Sequence, residues 1–160
     1  DAERHFLWKP HAALRIAEGD VIQCPARSAC VADSAWSRYS DAAPFLWPMV
    51  DGTRVDTVPG NIGATDFFFL YDLERGELAW HRPSSNLTFR YTFDMAVFPY
   101  ACFFASYGGF YGHYTMVIEP CSAMPLSVNE ARARGQCARL APGESLRTRL
   151  ELFAGRNEEA

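Results

Sequence analysis

Seven consecutive residues, Leu87-Thr88-Phe89-Arg90-Tyr91-Thr92-Phe93, alternate without a break. Leu87, Phe89, Tyr91 and Phe93 fall on one face, and Thr88, Arg90 and Thr92 on the other. A period of two is the signature of a half-buried β-strand. An apolar face of this kind needs a second layer to cover it, so the rest of the chain has to supply one. Ser145 to Phe153 repeats the pattern, with Leu146, Thr148, Leu150 and Leu152 set against Arg147, Arg149, Glu151 and Phe153.

The remaining segments fit the same class. Residues 5–8 read as a short strand stopped by Lys9-Pro10. Ala13 to Ile16 reads as a strand or a helical turn, and Val21 to Cys24 and Ser28 to Ala32 as strands. Residues 33–63 carry Pro44, Pro48, Pro59, Gly52, Gly60 and Gly63. This long irregular stretch has room for one short strand near Thr53 to Val58, and Trp36 and Trp47 should pack it down onto the body. Phe67 to Tyr71 and Glu77 to His81 read as a hairpin across the turn Leu73 to Gly76. Tyr100 to Ser106 and Tyr114 to Ile118 are further strands. Ser127 to Arg134 suits one or two helical turns ended by Gly135. Gln136 to Leu140 is a strand, Ala141-Pro142-Gly143-Glu144 a turn, and 156–160 a frayed end. The reading gives about nine to eleven short strands at the spacing of an antiparallel β-sandwich.

Composition narrows the function. Net charge is −4 with no basic run, which disfavours nucleic acid as a partner. The longest apolar stretch, Ala96 to Ala105, falls well short of the roughly 20 residues that cross a bilayer. The 160 residues, 49% of them apolar, suit one domain with a sizeable core. Five cysteines (Cys24, Cys30, Cys102, Cys121, Cys137) show no C-x-x-C spacing. They read as free thiols in a reducing, cytoplasmic compartment. His5, His81 and His113 lack metal-ligand spacing, so the expectation is no metal and no cofactor. No G-x-S-x-G elbow is present. Asn86-Leu87-Thr88 forms a sequon that matters only in a secreted chain.

The chemistry concentrates in Tyr107 to Pro120. Glycines and aromatics lead into an apolar strand that ends in Glu119, with Pro120 holding the preceding residue extended. Glu119 is therefore expected at a strand mouth, near Tyr107, Phe110, Tyr111 and His113. A carboxylate beside aromatic rings has the composition of a sugar site. His11 follows a strand end in the same way. A histidine and a carboxylate can move the two protons that hemiacetal ring opening requires. On the residues alone, the reading stops at an all-β domain suited to carbohydrate binding.

Several short segments resemble, in order, a known family. They are Trp8-Lys9-Pro10-His11-Ala12-Ala13-Leu14, Gly19-Asp20-Val21-Ile22 and Cys24-Pro25-Ala26. Phe93-Asp94, Phe98-Pro99-Tyr100, Gly108-Gly109, Ile118-Glu119-Pro120 and Leu140-Ala141-Pro142-Gly143-Glu144 follow. Together they resemble the aldose 1-epimerase (galactose mutarotase-like) superfamily. The resemblance implies an all-β supersandwich, with this chain as its C-terminal part, and interconversion of sugar anomers. It implies that Glu119 is the base at the anomeric hydroxyl and His11 the acid at the ring oxygen. Trp8, Lys9 and Tyr107 would line the pocket. Ala12-Ala13-Leu14 stands where better-studied relatives carry Pro-Tyr-Phe-Asn, which points to a different sugar. The resemblance also implies an earlier half of the fold, bearing a further histidine and an arginine. Residues 1–160 would then be one all-β domain lacking that half, with an exposed sheet edge open to a homodimer partner. The expected partner is a small-molecule sugar. A carbohydrate-binding module without catalysis, and a same-fold enzyme of different chemistry, remain alternatives.

Overall fold

The computed structural model describes residues 2–156. In chain order the strands are β1 (Arg4–Phe6), β2 (Ala12–Arg15), β3 (Val21–Gln23), β4 (Ala26–Val31), β5 (Phe45–Leu46), β6 (Met49–Val50) and β7 (Thr53–Arg54). There follow β8 (Ala64–Leu73), β9 (Glu77–Arg82), β10 (Leu87–Phe93), β11 (Tyr100–Phe110), β12 (His113–Cys121), β13 (Ala138–Leu140) and β14 (Leu150–Arg156). A short helix, α1 (Val128–Ala133), is capped by the Ser127 hydroxyl and followed by Gly135 at φ 65°. That left-handed position is the role read for Gly135 from the sequence. No helix among the described residues is long and apolar enough to cross a membrane.

Two antiparallel sheets make the sandwich. The larger runs β2-β12-β11-β8-β4-β5 and the smaller β14-β10-β9-β3. Two-stranded ladders, β1-β13 and β6-β7, sit beside them. The core lies between the sheets. Phe68, Leu70, Phe103, Met116 and Ile118 from the larger sheet meet Leu78, Trp80, Tyr91 and Phe93 from the smaller. The alternation at 87–93 holds: Phe89, Tyr91 and Phe93 face this core, and only Leu87 is left at the surface. Thr88, on the other face, is buried with its hydroxyl 2.9 Å from His81 Nδ1.

The segment 33–63 packs as its tryptophans suggest. Trp47 meets Phe103 edge-on with centroids 5.8 Å apart, and Val50, Val55 and Val58 are buried in the core.

Three expectations change. The stretches 67–71 and 77–81 are not a hairpin: β8 pairs with β11 and β4, whereas β9 pairs with β10 and β3. The chain changes layers through residues 74–76. Gly76 permits this crossing, because a Cβ there would meet the Phe93 carbonyl oxygen at 1.9 Å. The last strand begins at Leu150, five residues later than the alternation suggests. Arg156, expected to fray, closes β14 opposite Leu87; residues 157–160 lie outside the described residues.

The third change concerns Glu119. The strand does not end before Pro120 but continues to Cys121. A proline removes a ladder donor and is tolerated where no strand needs that donor. Here β2 pairs only with Thr115–Ile118. Two residues past Pro120, the Ser122 N–H reaches the Trp8 carbonyl at 3.0 Å. Alternation then points Pro120 toward the same non-strand segment, so no ladder bond is lost.

Candidate functional site

Register places the site on the larger sheet. Cys30 opposes Phe69, Phe69 opposes Cys102, and Cys102 opposes Glu119. Side chains of directly opposed residues share a face, so these four form a row across β4, β8, β11 and β12. The row belongs to the outer face. The inner face carries Phe68, Phe103 and Ile118, their immediate neighbours in sequence, whereas Phe69, Cys102 and Cys121 form a separate small apolar cluster.

Two residues from the segment before β2 complete the group. His11 Nε2 lies 3.6 Å from Glu119 Oε1. Lys9 Nζ lies 4.0 Å from Glu119 Oε2 and sits 4.6 Å above the Phe69 ring centroid. Both gaps are longer than a hydrogen bond, so the carboxylate is attended by charge without being clamped. Its side chain is 11% exposed, while that of His11 is 61% exposed. Access from solvent therefore runs past the imidazole. Burial pushes the Glu119 carboxyl above its ordinary range; Lys9, His11 and the Cys102 thiol pull it back. Burial also raises the Cys102 thiol well above its ordinary value, with Cys121 and Glu119 adding to the rise and Lys9 opposing it.

The two remaining sequence candidates sit elsewhere. Trp8 is fixed by Ser122, whose hydroxyl accepts the Trp8 N–H at 2.8 Å, and its ring packs edge-on against Phe98 of the core at 5.2 Å. Tyr107 corrects the expectation that it lines a pocket. It is fully buried on the inner face, opposite Tyr114 and Ala64. Its ring packs 5.2 Å from the Arg38 guanidinium. Its hydroxyl lies near Asp66 without a well-aligned hydrogen bond, and burial, with that carboxylate, raises its pKa. The odd-numbered β11 residues 101–107 face inward, so Tyr107 cannot share a surface with Glu119.

Sequence reasoning missed Cys102 and Cys121. Cys121, two residues from Glu119, shares its face by strand alternation, but Cys102 is seventeen residues away and local spacing gives no signal for it. Only the strand register joins Cys102 to Glu119. Phe110 and His113, expected beside Glu119, instead pair at the opposite end of the β11–β12 ladder, where an aromatic group lies on the outer face: Trp36 meets Phe110 at 5.3 Å and Phe104 meets Phe67 at 5.5 Å. A cleft of about 370 Å³, lined by Cys30, Phe69, Met124 and Arg134 among others, adjoins the far end of the Cys30–Glu119 row. A cleft of about 710 Å³ around Trp47, Arg54, Asp56 and Glu77 is lined by none of the residues near Glu119. Its Arg54 and Arg75 guanidiniums are engaged with Asp56 and Glu77.

No protein-family model matches the chain, and no curated protein matches it. Solved structures do. A candidate aldose 1-epimerase from Escherichia coli superposes with a TM-score of 0.69 at 16% identity, over 98% of this chain and 52% of its own. A candidate aldose 1-epimerase from Klebsiella pneumoniae gives 0.67 at 16% identity, over 98% of this chain and 40% of its own. A TPR-domain containing protein from Parabacteroides distasonis gives 0.58 at 12% identity, over 94% of this chain and 24% of its own. The chain has the all-β, galactose mutarotase-like fold of these structures and spans about half their length or less. The fold is one found in carbohydrate-related proteins, and it is shared by chains as different as a TPR-containing one.

Proposed function

We propose that this chain takes part in aldose 1-epimerase-like catalysis, interconverting the anomers of a sugar by acid and base at Glu119 and His11. One observation carries the reading. A half-exposed imidazole and a buried, unclamped carboxylate sit 3.6 Å apart on the face turned away from the core. The anomeric hydroxyl and the ring oxygen are bonded to the same carbon, so an acid and a base serving them must be close neighbours.

Glu119 accepts the proton of the anomeric hydroxyl. The electrons left on that oxygen form the carbonyl as the bond from the anomeric carbon to the ring oxygen breaks. His11, protonated, gives its proton to that ring oxygen. Rotation about the adjoining C–C bond presents the other carbonyl face, and the same two groups run the steps backward to close the ring. Lys9 holds positive charge beside Glu119 and keeps the carboxylate ionised against its burial.

The test is anomer exchange followed by two-dimensional proton NMR on a panel of free sugars, using the longest natural chain. Glu119→Gln is expected to lower the catalysed rate by about 10²–10⁴-fold, the usual contribution of one general acid or base. Acceleration that survives Glu119→Gln and His11→Asn together would sink the mechanism.

A second reading, a carbohydrate-binding module without catalysis, is favoured by the Trp36, Phe104 and Phe110 rings on the same outer face. It is distinguished by sugar binding that tolerates Glu119→Gln and brings no acceleration.

A further inference from the structure

We infer that Cys102, Cys121 and Glu119 form a binding site for a thiophilic divalent cation such as zinc or cadmium, closed on the solvent side by His11. Cys102 Sγ, Cys121 Sγ and a Glu119 carboxylate oxygen all lie within 4.8 Å of one another, and all three residues are buried. A tetrahedral ion with metal–sulfur bonds of ~2.3 Å has ligand-to-ligand edges of about 3.8 Å. Binding would close that difference by side-chain rotation, releasing the Cys121 thiol from the Glu119 backbone carbonyl 3.3 Å away.

The backbone is set by the ladder. Cys102 opposes Glu119 and Tyr100 opposes Cys121 on adjacent, hydrogen-bonded strands. Glu119 and Cys121, two residues apart on β12, project to one face. His11 Nε2, 3.6 Å from Glu119 Oε1, lies outside that three-residue group and would complete it as fourth ligand by turning toward it from the exposed side. Two sulfurs, one nitrogen and one oxygen make a donor set that favours zinc and softer ions over magnesium or calcium.

Charge supports the assignment. Two thiolates and a carboxylate around a divalent ion leave a net charge of minus one. Lys9 Nζ, 4.0 Å from Glu119, brings the group to zero. A buried ionic group is tolerated when its charges are compensated in place. Binding releases the two thiol protons to solvent as two sulfur–metal bonds form, and no oxidant or reductant is involved. The loaded form occupies the lone pairs of Glu119, so the cation would also switch off the acid–base pair.

The experiment uses the full chain, reduced and stripped with chelator, titrated with ¹¹³Cd²⁺. The expected result is one bound ion per chain, a thiolate-to-metal absorption band, release of two protons and a cadmium NMR shift in the range for two sulfurs with nitrogen and oxygen. Cys102→Ser and Cys121→Ser, checked for native circular dichroism, should each weaken binding by more than about 100-fold, the upper end of what losing an outer-shell partner costs. Cys30→Ser should leave it unchanged. No band, a shift typical of oxygen ligands only, or a band that persists in Cys102→Ser would overturn the site. The shift is read on the unsubstituted protein, so misfolding of a variant cannot hide the answer. Cation binding is read without any sugar, so its failure and failure of the anomer-exchange reading are separate outcomes.

Discussion

Two kinds of buried carboxylate divide this molecule. At one end, Asp20 is 1% exposed and fully engaged. It accepts the Ala17 N–H at 2.8 Å, the Trp80 indole N–H at 2.9 Å and a two-pronged contact from Arg82 at 2.8 and 2.9 Å. Asp66 is clamped in the same manner by Arg38, at 2.6 and 3.1 Å. On the outer face Glu119 is nearly as buried, yet its charged neighbours stand off at 3.6 and 4.0 Å. The fold has paired guanidiniums for carboxylates it uses as fasteners. It leaves Glu119 with an ammonium, an imidazole and a thiol, groups that can be displaced or can exchange protons. A carboxylate locked by bidentate bonds is a poor base, and one attended at a distance is an available one.

The difference can be broken by mutation. Asp20→Ala leaves the Arg82 guanidinium and the Trp80 N–H without their acceptor. It is expected to destabilise the fold by about 3–5 kcal/mol, the range for breaking a buried pair, measured as a loss of urea-unfolding free energy. Asp66→Asn keeps the side-chain shape and strands an Arg38 that is already a quarter exposed. Water softens that loss, so about 1–3 kcal/mol is expected in the same assay.

Glu119→Gln should do least to the fold, within about 1 kcal/mol of the parent in either direction. Its sign should depend on pH. Burial raises the Glu119 pKa in the folded state, so the folded protein holds this proton more tightly than the unfolded chain does. The glutamate's favourable contribution is therefore fully present below its unfolded pKa, about 4.3. It is lost as pH rises through the folded value. Unfolding curves of the parent and the glutamine variant, taken with chelator present, should shift in the variant's favour across that window. A variant that instead loses ground as pH rises would mean that Glu119 is a fastener like Asp20, and the comparison would fail.

Local pattern made much of the fold legible. The period of two at 87–93 located β10 and its buried face, because burial against a second sheet is what the alternation encodes. Ser127 and Gly135 marked the ends of α1 because capping is a local hydrogen-bonding need. The failures share a cause. Apolar runs at 67–71 and 77–81, joined by a turn, look the same whether the strands pair or enter different sheets; Gly76 and the Phe93 backbone decide which. Pro120 looked like a strand end because the sequence does not reveal whether its missing donor would face a partner.

The site divides along the same line. Sequence by itself determined the class, an all-β sandwich, and nominated Glu119 and His11, since residue chemistry and ordered short motifs travel with the chain. Only the tertiary structure decided which side chains share a surface. A shift of one residue along a strand reverses its face. So Tyr107, nominated with Glu119, lies inward in the core, while Cys102, seventeen residues away, lies directly across the ladder from it. Face and register come from pairing between distant strands, which local spacing does not record.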